Sequence, residues 1–193
     1  MRVSALVRTY VPALAFVLCL LFGAAPAIAA DGTGGAGPVD LPPAQSGGGV
    51  PPATTPMPTA QLSPDGRTAI PPAAAPQAVK DVIYAANQIT RKPYRYGGGH
   101  GSFVDNAYDC SGSVSYALHG GGILDAPLDS SSFMRWGVAG RGAWITVYTN
   151  PMHAYAILAG LRFDTSGPGQ RGPRWRQGAR MSRGFKARHP LNF

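Results

Sequence analysis

The sequence contains no glutamate, so aspartate is its only acidic residue. Nine aspartates stand against 17 lysines and arginines, and the formal net charge is +8. A protein with this charge favours anionic surfaces, such as nucleic acid or a cell envelope. The sequence also lacks zinc-ligand clusters and a basic helical stripe, which are common in nucleic-acid-binding modules. We therefore expect no nucleic-acid partner.

Cysteine is nearly absent, with only Cys19 and Cys110 in 193 residues. Residues 1–30 have the pattern of a secretory signal peptide: two arginines, an apolar run over 11–25, and small residues before Asp31. The apolar run is shorter than the ~20 residues of a membrane span. Cleavage would remove Cys19, so we expect a secreted or cell-envelope protein without stable membrane insertion. Exported proteins use cysteines mostly in pairs, so the remaining thiol is either an incidental buried group or a chemically used one.

Glycine and proline are concentrated in the first half of the chain. Residues 31–76 are so rich in Gly, Pro and Ala that they cannot bury enough apolar surface to offset the entropy of ordering. We predict a disordered or extended linker there. The folded unit is predicted to span 77–193, which is long enough for one hydrophobic core.

Within 77–193 the pattern changes from helical to strand-like. Apolar residues at helical spacing predict a helix over 77–90, and a second one begins at Asp109 or Cys110 and stops at the glycines 120–122. A short helical turn is expected after Asp129. Strand-like runs at 144–149, 153–158 and 161–165 are separated by turn signals. Helices followed by an antiparallel meander indicate an α+β domain.

Cys110 is placed where a thiol can become a nucleophile. A helix N-terminus and a neighbouring imidazole both lower the pKa of a thiol, and free backbone N–H groups at that end can hold an oxyanion. The base has to come from elsewhere in the sequence, and His153 opens a predicted strand. Asp164 lies across a tight turn and would orient the imidazole as a near cross-strand neighbour. Thr165 takes that position if the register slips by one residue.

These residues fall into a motif pattern that resembles the NlpC/P60 family. The resemblance covers essentially all of 77–165 and rests on Pro93-Tyr94-Arg95-Tyr96-Gly97-Gly98, Asp109-Cys110-Ser111-Gly112-Ser113-Val114 and His153-Ala154-Tyr155-Ala156-Ile157. It implies a papain-like fold, with N-terminal helices packed on a central antiparallel sheet. It also implies cleavage of peptide bonds in peptidoglycan stem peptides, with Cys110 as nucleophile, His153 as base and Tyr94 in the substrate site.

Three features depart from the family pattern. The third catalytic residue of the family is commonly a second histidine, and Asp164 falls at that place here if the preceding turn is one residue shorter than in the family. Gly140-Arg141-Gly142 stands where the family often has a Pro-Gly-Asp element. The segment 171–193 has no counterpart in the pattern.

The sequence therefore predicts an exported cysteine peptidase that acts on peptidoglycan or its stem peptides. We expect Cys110, His153 and Asp164 to be catalytic, Tyr94 and Ser111 to bind substrate, and the protein to be a monomer that needs no metal or cofactor. Two alternatives stay open: a non-catalytic module that binds the cell wall, and a cysteine amidase or acyltransferase acting on another amide or on lipids.

Overall fold

A computed structural model describes residues 56–167, 172–178, 180 and 182–193. The predicted signal peptide (1–30) and the predicted linker up to residue 55 lie outside this part of the chain and stay predictions. Within it, no helix combines the length and the hydrophobicity that crossing a membrane requires.

Three helices begin where the sequence places them. Helix α1, Gln77–Ile89, buries an apolar side. Helix α2, Cys110–Gly120, begins after Asp109, whose side chain accepts a hydrogen bond from Gly112 N at 2.7 Å. Helix α3, Ser130–Phe133, is capped in the same way by Asp129. Both long helices and the short helical turn are therefore confirmed.

Six strands form one antiparallel sheet: β3 Val138–Ala139, β4 Ile145–Asn150, β5 His153–Leu158, β6 Leu161–Asp164, β7 Arg174–Arg176 and β8 Lys186–His189. Their order across the sheet is β3-β8-β4-β5-β6-β7. The three predicted strands correspond to β4, β5 and β6, and the α+β class is confirmed. The C-terminal segment adds β7 at one edge and β8 beside β4, so it belongs to the sheet.

The hydrophobic core lies between one face of the sheet and the helices. Along β5, Ala154, Ala156 and Leu158 face this core, and Val114 and Leu118 of α2 pack in it. Burying one large aliphatic side chain of this kind contributes roughly 1.5–3 kcal/mol. Because strand side chains alternate between faces, His153 and Tyr155 are directed to the opposite face of the sheet from Ala154.

The folded unit begins before residue 77, which differs from the predicted boundary of the linker. Strands β1, Gln61–Leu62, and β2, Ala69–Ile70, pair as a small antiparallel hairpin. Asn87 of α1 binds this hairpin, because its side chain accepts from Ala69 N and donates to Ala69 O, both at 2.9 Å. Ala60, Ala69 and Ala75 are buried. Alanine-rich composition suggested a linker, but small side chains are what allows this segment to lie close against the core.

Candidate active site

The start of α2 is held by the carboxylate of Asp109. Besides capping Gly112, this carboxylate accepts from Gly97 N at 3.0 Å, so it ties the Gly-rich loop to the helix. The two backbones touch so closely that a Cβ at Gly112 would collide with the carbonyl oxygen of Gly98. Cys110 is the first residue of the helix and is only 7% exposed. The Asp-Cys-Ser-Gly motif thus fixes the thiol on a rigid support.

His153 reaches this thiol from the start of β5. The turn before it is closed by Asn150, whose side chain accepts from the backbone N–H groups of Met152 and His153, each at 2.9 Å. The imidazole of His153 interacts with both the Cys110 thiol and the Asp164 carboxylate, and each of these groups raises its pKa. Its Nε2 lies 2.9 Å from Asp164 Oδ1, which leaves Nδ1 for the sulfur. The structure therefore brings Cys110, His153 and Asp164 together, with the imidazole between the thiol and the carboxylate.

The β5–β6 register explains why Asp164 is the residue on the imidazole. Ala156 pairs with Phe163, so Asp164 continues the ladder opposite Tyr155 and lies diagonally from His153 on the same face. Thr165, the alternative, would follow on the other face. The connecting turn allows this register because Ala159 and Gly160 both have positive φ, 43° and 82°, as a two-residue hairpin turn of type I′ requires.

Asp164 is surrounded by donors and is 1% exposed. Ser166 donates to it through both its backbone N–H and its hydroxyl, at 2.9 Å. Arg180 Nη1 lies 3.2 Å from Oδ2, and Arg162 Nε lies 3.8 Å from the same oxygen. A carboxylate this deeply buried is stable only when it is paired, and here two arginines share it with the imidazole.

The pKa values of the three groups shift in a mutually consistent way. Burial alone would lower the pKa of His153, but hydrogen bonds and charges from Asp164 and Cys110 outweigh it and raise that pKa to about 9. Burial alone would raise the pKa of the Cys110 thiol, but the His153 side chain and the Ala154 backbone N–H lower it. The pKa of Asp164 is likewise lowered by His153 and Ser166 against the effect of burial. The arrangement favours a thiolate beside an imidazolium.

Backbone donors remain free next to the sulfur. The N–H of Gly112 is taken by the Asp109 side chain and that of Ser113 by the Asp109 carbonyl. The first residues of a helix have no intrahelical acceptor for their N–H groups. The N–H groups of Cys110 and Ser111 have no acceptor among the described residues, so they are available to stabilise a developing oxyanion.

A cleft of about 220 Å³ opens over the thiol. Its rim carries exposed apolar side chains on both sides, with Tyr96 90% exposed and Met152 86% exposed. Tyr94 also lines the cleft; burial and the charges of Cys110 and Asp109 raise its pKa. Ser111 lines the cleft as well, although its hydroxyl is turned toward His100 and Asp109, at 3.2 and 3.4 Å. Both predicted substrate-binding residues thus lie at the cleft.

Sequence reasoning missed several residues of the site. His100 lines the cleft, and its Nε2 lies 2.9 Å from Asp109 Oδ1. Its position directly after the Gly-rich loop was an available signal. No such signal marked the residues that surround Asp164, which are Arg162, Ser166 and Arg180. Only the strand register and the path of the chain beyond β7 bring them together. In the part of the chain that the structure describes, no group of His, Cys, Asp or Glu could hold a metal ion.

Comparison with known proteins gives structural neighbours only. No family model matches the chain, and no curated protein matches it. The peptidoglycan hydrolase RipB from Mycobacterium tuberculosis is 26% identical, with 64% of this chain and 70% of that chain covered and a TM-score of 0.48. The P60 domain of an antigen from M. avium subspecies paratuberculosis is 21% identical, covering 58% and 94%, with a TM-score of 0.43. An NlpC/P60 family protein from Bacillus cereus is 19% identical, covering 65% of this chain but 43% of its own, with a TM-score of 0.46.

These neighbours include NlpC/P60 proteins, the family whose motifs the sequence resembles. Because their TM-scores lie below 0.5, we base the assignment of function on the geometry of the site and on its motifs.

Proposed function

We propose that the protein is an exported cysteine peptidase of the NlpC/P60 type that hydrolyses peptide bonds in peptidoglycan stem peptides. One observation carries this proposal: the His153 imidazole lies between a thiol at a helix N-terminus and a buried carboxylate. A nucleophile, a base and a group that orients the base are the parts that acyl transfer needs.

In the first half of the reaction, the Cys110 thiolate attacks the carbonyl carbon of the scissile amide. The negative charge moves to the carbonyl oxygen, where the N–H groups of Cys110 and Ser111 are positioned to donate to it. The C–N bond then breaks, and the His153 imidazolium gives its proton to the departing amine. The acyl group is left as a thioester on Cys110.

In the second half, the neutral imidazole of His153 takes a proton from water, and the resulting hydroxide attacks the thioester. Collapse of this intermediate releases the acid and restores the thiolate–imidazolium pair. Asp164 stays ionised throughout and keeps the Nε2–H of His153 directed toward it. Ser166, Arg162 and Arg180 hold the carboxylate in place and act on the reaction only through it.

Three features support peptidoglycan as the substrate. The site motifs resemble those of peptidoglycan peptidases. The signal-like residues 1–30 favour a location outside the membrane, where the cell wall is. The cleft is open and has apolar side chains on its rim, which suits a short extended peptide.

Mass spectrometry of cell-wall digests tests the proposal. Purified peptidoglycan is incubated with wild type and with Cys110→Ala. We expect wild type to release new stem-peptide fragments and Cys110→Ala to release none. His153→Asn should also be inactive, whereas His119→Asn, which changes a histidine outside the cleft, should remain active.

Fragment release by Cys110→Ala at the wild-type rate would refute the assignment of the nucleophile. Wild-type protein that binds the wall but releases nothing, with Cys110 unreactive to iodoacetamide, would instead support the non-catalytic wall-binding module.

A further inference from the structure

A second cleft lies on the face of the sheet that is turned away from the helices. Its volume is about 370 Å³. The floor is formed by Tyr148, Tyr155 and Ile157, and two arginines, Arg141 and Arg180, also line it. The rings of Tyr148 and Tyr155 are stacked with their centroids 5.1 Å apart. The cleft therefore combines an aromatic and aliphatic floor with two positive charges.

Arg141 has fewer interaction partners within the protein than Arg180. It is exposed and follows β3 in the loop that leads to β4. Among the described residues it has neither a hydrogen bond nor an ion pair. It is the central residue of the Gly-Arg-Gly stretch that departs from the family pattern. Its guanidinium has five N–H donors for a ligand in the cleft.

The guanidinium of Arg180 is held in place by two aromatic rings and by hydrogen bonds through one of its nitrogens. Its guanidinium carbon lies 5.4 Å from the ring centroids of both Tyr155 and Phe185. Its hydrogen bonds to Asp164 and Ser166 both use Nη1. The Nε and Nη2 groups make no hydrogen bond within the described residues, so a ligand can use them. Packing on two rings holds the guanidinium in one orientation, which reduces the entropy that a ligand's hydrogen bonds must offset.

The charge of this part of the chain favours an anionic ligand. Residues 160–193 contain eight lysines and arginines but only one aspartate, Asp164. That aspartate is buried and already paired. Arginine is the side chain best suited to bind phosphate and carboxylate groups, because its planar N–H groups match their oxygens.

We propose that this cleft is a binding site for an oxyanion, a phosphate or a carboxylate group, held between Arg141 and Arg180. The site is separate from the cleft over Cys110 and does not depend on the thiol. It would attach the protein to an anionic polymer or to a product that carries such a group. Arg180 also contacts Asp164, so its guanidinium would interact with both the bound ligand and the carboxylate that orients His153.

NMR titration of the full chain tests the site. The Nε–Hε signals of arginine side chains are followed while sodium phosphate, glycerol phosphate or sodium acetate is added at constant ionic strength. We expect saturable shifts of the Arg141 and Arg180 signals with a Kd of about 1 mM for the better anion. Tighter binding of the phosphates would identify a phosphate-bearing ligand, and tighter binding of acetate would identify a carboxylate.

Arg141→Gln is the main variant, and Arg91→Gln is its matched control. Both change an exposed arginine and lower the net charge by one, but Arg91 is not part of the cleft. Loss of charge-assisted hydrogen bonds should weaken binding roughly tenfold in Arg141→Gln, while Arg91→Gln should bind like wild type. Equal affinities of the two variants, or shifts that do not saturate, would overturn the proposal. The same titration in Cys110→Ala should be unchanged, so its result does not depend on peptidase activity.

Discussion

Replacing Asp164 by asparagine removes the charge that keeps His153 protonated and leaves the shape of the side chain almost unchanged. The rise in the pKa of His153 from 6.5 to about 9 corresponds to about 3 kcal/mol in favour of the imidazolium. Asp164 and Cys110 share this effect. An opposite charge at hydrogen-bonding distance typically shifts a pKa by about 1–3. We therefore expect the pH at which activity falls on the alkaline side to decrease by about that amount.

The acid limb should move in the opposite direction. With less imidazolium beside it, the Cys110 thiolate loses its main stabilising partner, and the thiol pKa rises. The pH range in which the variant is active therefore narrows from both sides. Loss of the group that orients the imidazole should also lower kcat by roughly 10²–10⁴-fold. The variant should also be less stable by about 3–5 kcal/mol, because Arg162 and Arg180 lose a buried partner.

Two assays check the Asp164→Asn prediction: kcat/KM against pH with a stem-peptide substrate, and the rate at which iodoacetamide alkylates Cys110 across the same pH range. Urea unfolding shows whether the variant is folded under assay conditions. Asp125→Asn, which changes an exposed aspartate, is the control and should behave like wild type. A folded Asp164→Asn protein with the wild-type pH profile in both assays would refute the role given to this carboxylate.

Three further predictions concern the wild-type pH profile and two positions outside the triad. Wild-type activity should fall as pH rises through about 9, because His153 loses its proton there, and should fall at low pH when the Cys110 thiolate is protonated; initial rates across the pH range check this. Gly112→Ala should lower the free energy of unfolding by roughly 3 kcal/mol or more, because its methyl group meets the Gly98 backbone, and urea unfolding measures the loss. Asn87→Ala should lower the free energy of unfolding by about 2–4 kcal/mol, because it leaves the backbone of β2 and the indole N–H of Trp175 without their partner. Thermal unfolding measures this loss.

Local sequence signals were sufficient for the elements that hold the nucleophile. The N-cap at Asp109 and the glycines after α2 define that helix without reference to the rest of the fold. The tight turn at Ala159 and Gly160 was also visible in the sequence, because neighbouring residues determine it. The choice between Asp164 and Thr165 depends on the β5–β6 register, which the structure provides.

Contacts between distant parts of the chain could not be predicted in this way. The hairpin before α1 packs through alanines and through Asn87, and its Pro- and Ala-rich composition is the same as that of a linker. Arg180 reaches Asp164 only after β7 has joined the edge of the sheet, and no spacing in the sequence links these two residues. The composition of a segment gives its total charge, but it does not show which carboxylate its arginines contact in the folded protein.

Direct detection of a covalent intermediate tests the central claim most closely. Wild-type protein is mixed with a purified stem peptide, quenched in acid within the first turnover, digested and analysed by mass spectrometry. We predict a peptide containing Cys110 whose mass is increased by the acyl part of the substrate, and the increase should disappear as hydrolysis finishes. Peptide cleavage at the full rate with unmodified Cys110 at every time point would contradict the account.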